Sequence, residues 1–153
     1  MRSIDTEVRI NAPCNRVWSI LTDFARYPDW NPFITRISGR PEVGSRLAIR
    51  IEPPGQRPMM FRPRVLAASP RRELRWLGRL LIPRLFDGEH SFELLDDADG
   101  CLLRQSEKFT GLLVPRMPRK MFEATEQGFV AMNEALKKRA ERMTENIAGS
   151  GET

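Results

Sequence analysis

Hydrophobic and polar side chains alternate from residue 3 to residue 10, with Ile4, Thr6, Val8 and Ile10 on one side and Ser3, Asp5, Glu7 and Arg9 on the other. A period of two over this length predicts a half-buried strand. Asn11-Ala12-Pro13 interrupts it, and proline suits the first turn of a helix. Val17, Trp18, Ile20 and Leu21 therefore read as the apolar stripe of a short helix. Asp23 is placed to cap a second short helix over residues 24–27, which Pro28 should end, because the residue before a proline avoids helical geometry. The stretch Tyr27-Pro28-Asp29-Trp30-Asn31-Pro32-Phe33 is then a rigid aromatic turn. Its expected task is to pack one mouth of the fold, and Trp30 and Asn31 are its candidates for touching a ligand.

From Ile34 onward the helical period disappears. Residues 34–38, 46–52, 59–68 and 73–78 read as strands, with Leu47, Ile49 and Ile51 sharing a face, then Phe61, Pro63 and Val65, then Leu74 and Trp76. Arg50, Arg62, Arg64 and Arg75 fall on the opposite faces, the pattern of an antiparallel meander with one wet side. Pro63 cannot donate to a ladder, so a bulge or bend is expected there.

Residues 87–111 form two alternating runs around Asp96-Asp97-Ala98-Asp99-Gly100, which predicts a hairpin. Simple pairing sets Leu94 opposite Leu103, Phe92 opposite Gln105 and His90 opposite Glu107, all inward. A register slip of two residues would keep these faces and change the partners. The terminal helix is expected from residue 117 or 118. There Met121, Phe122, Thr125, Phe129, Met132, Leu136, Ala140 and Met143 recur at spacings of three and four. Glu134 with Lys138, and Lys137 with Glu141, are spaced for surface ion pairs. The small polar segment 147–153 reads as a disordered tail after a single domain over residues 1–146.

Two connections break the usual polarity of loops. Residues 80–86 crowd Leu80, Leu81, Ile82, Leu85 and Phe86 around Pro83, and residues 111–115 add Leu112, Leu113 and Val114. The first reads equally as a lid over an apolar cavity, as core, or as a strand running on past a bulge.

Composition narrows the function classes. A chain of 153 residues suits one domain that buries roughly 70% of its unfolded surface. Cys14 and Cys101 are too few for a disulfide framework and, with His90 as the sole histidine, lack the clustered spacing of a zinc site, so neither metal nor cofactor is expected. No leader-like apolar segment and no run near ~20 apolar residues is visible, and a cytoplasmic protein is the expectation. The formal charge of +5 rests mostly on arginines scattered over strand exteriors, without a recognition module, so nucleic acid is not the expected partner.

Ile10-Asn11-Ala12-Pro13, Val17-Trp18, Leu21-Thr22-Asp23-Phe24, the aromatic turn from Tyr27 to Phe33, and Phe86-Asp87-Gly88-Glu89-His90-Ser91-Phe92 resemble the SRPBCC superfamily. These are the START-like or Bet v1-like helix-grip proteins, here in the bacterial polyketide cyclase/dehydrase-like branch, and the resemblance runs to about Asn146. It implies an α+β helix-grip fold. A curved seven-stranded antiparallel sheet wraps a long C-terminal helix, with two short helices between strands 1 and 2 and a deep apolar cavity whose entrance lies near the last helix. Lipid carriers, hormone receptors, coenzyme Q-binding proteins, cochaperone domains and aromatic cyclases share this fold, so the fold selects no activity.

The inward positions then name a candidate cavity lining. The sheet supplies Phe61, Val65, Trp76, His90, Phe92, Gln105 and Glu107, the last helix Met121, Thr125, Phe129 and Met132, and the aromatic turn Trp30. The expected ligand is a hydrophobic small molecule such as a lipid, quinone or polyketide-like aromatic. His90 and Glu107 are candidates for three roles: a structural hydrogen-bonded pair, ligand orientation, or acid/base catalysis of a cyclisation or dehydration. A cochaperone-like module, or transient membrane contact through residues 80–86 beside Arg79 and Arg84, is the third class of reading.

Overall fold

The computed structural model describes residues 1–80 and 82–149, with side-chain surroundings through residue 142. Strand β1 (Arg2–Ile10) leads into helix α1 (Cys14–Thr22), a 3-10 turn (Phe24–Arg26) and helix α2 (Tyr27–Trp30). Strands β2 (Ile34–Ser38), β3 (Ala48–Ile51), β4 (Met59–Phe61), β5 (Arg64–Ser69), β6 (Glu73–Arg79), β7 (Asp87–Asp97) and β8 (Gly100–Thr110) follow, and helix α3 (Arg119–Gly149) closes the fold. All strand pairings are antiparallel.

The expected single seven-stranded sheet is instead a five-stranded sheet in the order β1-β8-β7-β6-β5 beside a three-stranded sheet β2-β3-β4. Pro63 is the physical reason. It divides the expected strand 59–68 into β4 and β5, since it has no N–H to give the ladder. Its carbonyl still accepts from the N–H of Leu47 at 2.8 Å, and Val65 N–H donates to the Ser45 carbonyl at 2.9 Å. These bonds stitch the two sheets at the break.

Pro28 also acts differently from expectation. The helix over 24–27 is a 3-10 turn, and Pro28 sits in the first turn of α2, where a missing N–H costs nothing. Asp23 makes no side-chain cap, and its N–H closes α1 by donating to the Ser19 carbonyl at 3.2 Å.

The long hairpin has the expected register, with His90 opposite Glu107, Phe92 opposite Gln105 and Leu94 opposite Leu103. Its connection is only Ala98-Asp99, and Ala98 adopts φ 53°, a left-handed turn conformation. Helix α3 buries Phe122, Phe129, Met132, Leu136 and Ala140 against the concave side of the sheet, chiefly over β1. Lys137 pairs with Glu141 at 2.5 Å, and the same carboxylate accepts the N–H of Asn11 at 3.0 Å, so this pair pins α3 to the end of β1. Both bonds hold the Glu141 carboxyl below the usual carboxylate range, the Lys137 bond most.

Cys14 and Cys101, too few to suggest a framework, form one disulfide that ties the start of α1 to β8. α3 continues through Gly149, three residues beyond the expected domain edge. Leu81, the Met143 side chain and the rest of the expected tail, residues 150–153, lie outside the described residues. Among the described residues, no helix is long and apolar enough to cross a membrane.

Candidate ligand cavity and its comparisons

Sheet and helix do not meet everywhere. Between the first turns of α3, the inner faces of β3 and β4, and the open ends of β6–β8 lies a cavity of about 150 Å³. Ile49, Ile51, Met59 and Phe61 wall one side, Trp76, His90, Glu107 and Phe109 the other, and Met121 and Thr125 of α3 roof it.

His90 is the centre of the polar spot. It is 4% exposed, stacks on Trp76 with ring centroids 5.1 Å apart and planes at 12°, and meets Phe92 and Phe129 at 4.7 and 4.9 Å. Its Nδ1 lies 3.4 Å from Oε2 of Glu107, and its Nε2 has no hydrogen-bond partner among the described residues. The stack follows from the ladder, because Trp76 and His90 are directly paired across β6 and β7. Thr125 contributes little free polarity, since its hydroxyl donates to the Met121 carbonyl at 2.8 Å.

The structure thus brings Phe61, Trp76, His90, Glu107, Met121 and Thr125 to the cavity wall. The other expected lining residues lie elsewhere. Val65, Phe92, Phe129 and Met132 are each at most 1% exposed and belong to the packed core, because the sheet closes tightly on α3 beyond its second turn. Gln105 is held in that closed half. Its Nε2 donates to Oδ1 of Asn133 at 2.7 Å, Asn133 Nδ2 donates to the Thr6 hydroxyl at 2.9 Å, and that hydroxyl donates to the Gln105 carbonyl at 2.9 Å. Trp30 packs edge-on against Tyr27 at 5.1 Å, and Asn31 accepts the N–H groups of Phe33 and Ile34 at 3.0 and 2.9 Å. The aromatic turn is therefore a brace.

Ile49, Ile51, Phe33, Phe86 and Phe109 were absent from the expected lining. Alternation marks Ile49 and Ile51 as inward, but it does not tell a wall from a core. The run over 80–86 is divided between roles. Leu80 and Phe86 line the cavity, Phe86 resting on Phe109 at 5.6 Å, while Ile82 is 60% exposed. Among the described residues no cluster of three or more His, Cys, Asp or Glu side chains is arranged to hold a metal ion.

Solved structures repeat this architecture. The protein MLL2253 from Mesorhizobium loti matches with a TM-score of 0.72 at 21% identity, over 92% of this chain and 98% of that one. A START superfamily protein from Mycobacterium smegmatis matches with a TM-score of 0.71 at 22% identity, over 92% and 98%. The Zhui aromatase/cyclase from a Streptomyces species matches with a TM-score of 0.75 at 23% identity, over 94% and 95%. No curated protein matches the chain. Residues 1–141 match the family described as polyketide cyclase / dehydrase and lipid transport. With that match over most of its length and the START-like fold around its cavity, the chain belongs to the polyketide cyclase/dehydrase and lipid-transport family of the SRPBCC superfamily.

Proposed function

We propose that the protein binds an apolar small molecule in the cavity between its sheet and α3, and that the part seated deepest is a ring bearing one polar substituent. The observation that carries this reading is the Nε2 of buried His90, without a hydrogen-bond partner among the described residues, in a wall that is otherwise almost wholly apolar. A buried polar atom without a partner is costly, and a ligand oxygen would remove that cost. A cavity of about 150 Å³ lies below the ~300 Å³ where drug-sized sites begin, and a void of that order takes a benzene-sized group. A quinone or the leading ring of a polyketide-like aromatic suits it better than a whole lipid, and the remainder of a longer ligand would extend through the mouth.

Calorimetric titration with naphthol tests this. Saturable binding that His90→Ala weakens about tenfold, and that Thr125→Trp abolishes by filling the cavity, is the expected result. Binding by wild type and Thr125→Trp alike would place the ligand elsewhere.

The second reading is an acid/base enzyme. An imidazole whose Nδ1 faces a carboxylate while Nε2 has no hydrogen-bond partner among the described residues is arranged to take a proton from carbon beside a carbonyl and to hand it to a departing hydroxyl, which leaves as water. Glu107 would orient the ring. The 3.4 Å separation is long for a tight pair, and such pairs commonly close when substrate binds. Turnover of a β-hydroxyketone by wild type, lost in both Glu107→Gln and His90→Ala while binding survives in Glu107→Gln, separates catalysis from carriage.

A further inference from the structure

We propose that the rim of the cavity is a docking surface for an anionic lipid bilayer, so that an apolar ligand passes between membrane and cavity without crossing water. Two connections build this rim, residues 80 and 82–86 between β6 and β7 and residues 111–118 between β8 and α3. They are laced into one platform. Leu112 N–H donates to the Arg84 carbonyl at 3.1 Å, Leu113 N–H to the Leu85 carbonyl at 3.0 Å, and Leu80 N–H to the Phe86 carbonyl at 2.9 Å. Gly111, at φ 126°, allows the close approach, because a side chain there would collide with the Leu85 carbonyl.

What the platform shows to solvent is apolar. Leu80 is 40% exposed, Ile82 60% and Leu112 79%, three of the nine large exposed hydrophobic side chains among the described residues. Arg84 holds a left-handed φ of 69°, an unusual conformation for a side-chain-bearing residue, and its N–H is fixed by the Asp87 carboxylate at 3.3 Å. Residues 84–87 are therefore held in shape, with Ile82 outward beside them.

Charge selects the partner. Residues 78–86 and 111–122 carry Arg79, Arg84, Arg116, Arg119 and Lys120 and no acidic residue. Arg79 faces Asp87 and Arg119 pairs with Glu123, whereas the Arg84, Arg116 and Lys120 side chains make no ion pair among the described residues. Apolar side chains ringed by cations fit a surface of acyl chains beneath anionic headgroups, where the former insert and the latter attract. These connections line the cavity through Leu80, Phe86 and Met117, beside Arg79 at the end of β6, so a ligand leaving it meets this surface first.

Flotation of the full chain with vesicles tests the proposal independently of which ligand the cavity takes. Wild type should float with vesicles of phosphatidylcholine and phosphatidylglycerol in equal parts, and about tenfold less with phosphatidylcholine alone. The double variant Ile82→Asp/Leu112→Asp and the charge variant Arg84→Glu/Arg116→Glu should each lose about tenfold on the mixed vesicles, with naphthol binding and circular dichroism unchanged. Flotation by the aspartate variant equal to wild type would overturn the proposal. So would the absence of flotation with either vesicle, which would leave the patch to a protein partner.

Discussion

A Cβ added to Gly88 would lie 2.5 Å from Oε1 of Glu107, so the carboxylate of β8 occupies the space that a side chain on β7 would need. Glu107 can lie beside His90 only because its diagonal neighbour has no side chain. The obstructing atom is the far end of a flexible side chain, so Gly88→Ala should change stability little. It should displace the carboxylate and weaken its hold on Nδ1 of His90. Nitrogen NMR of the imidazole reports this as a changed tautomer balance. An unaltered imidazole spectrum in Gly88→Ala would show that the carboxylate does not orient the ring.

Gly128 behaves in the opposite way. Replacing a mid-helix glycine with alanine ordinarily gains about 1 kcal/mol, yet a Cβ here would strike the ring of Phe33, which is 3% exposed and packed edge-on against Phe129 at 5.5 Å. A buried aromatic ring cannot swing aside as a carboxylate can, and overpacking costs about 1–3 kcal/mol. Gly128→Ala should therefore be neutral to about 2 kcal/mol destabilising, instead of stabilising, by urea titration. Because Phe33 lines the cavity, naphthol affinity should change as well.

How much of this was legible in the chain follows from what each residue pattern encodes. The hairpin register is readable because alternation sets the faces and a short turn sets the offset, which is why His90 and Glu107 are found together from sequence. Which part of the interior forms the cavity is not readable. Phe92 and Phe61 have the same inward pattern, yet one is core and the other wall, and only the spacing between sheet and α3 decides between them. Pro63 announced a disturbance but not that it would divide the sheet. Two cysteines separated by 87 residues carry no pairing signal at all until α1 lies on β8.

That disulfide makes a thermodynamic prediction. Closing a loop of this length restricts the unfolded chain, which in the loop-entropy account is worth about 4.6 kcal/mol, and removing a native disulfide typically costs roughly 2–5 kcal/mol. Cys14→Ala/Cys101→Ala should therefore melt well below wild type. Unfolded, unreduced wild type should show no thiol to a thiol reagent. Two titratable thiols under those conditions would mean that the bond does not form.

Arg36 sits directly across from Arg50 on the outer face of β2 and β3, and Arg46 across from Arg64. Like charges opposed on neighbouring strands are destabilising by roughly 0.2–1 kcal/mol, and of these four arginines only Arg50 makes an ion pair among the described residues, with Glu52 at 3.7 Å. Arg36→Thr removes one repulsion and puts a good strand former in its place. It should raise the melting temperature at low salt, with the gain shrinking as salt screens the pair. A gain independent of salt would assign it to strand propensity alone.

Tyr27, the single tyrosine, is fully buried and its hydroxyl donates to the Leu21 carbonyl at 2.5 Å. Burial pushes its phenol pKa far above the ordinary value, because the phenolate would lose its hydration. The sign of the pH effect follows. Below the unfolded pKa of about 10 the phenol is neutral in both states, and the contribution to stability is intact. As pH rises past that value the unfolded chain gains by ionising while the folded chain does not, and stability falls progressively. Tyrosinate absorbance should therefore stay flat in alkali until circular dichroism is lost, and the two transitions should coincide. A smooth titration near pH 10 with the fold intact would place the hydroxyl in contact with water and undo the assignment of the aromatic turn as a buried brace.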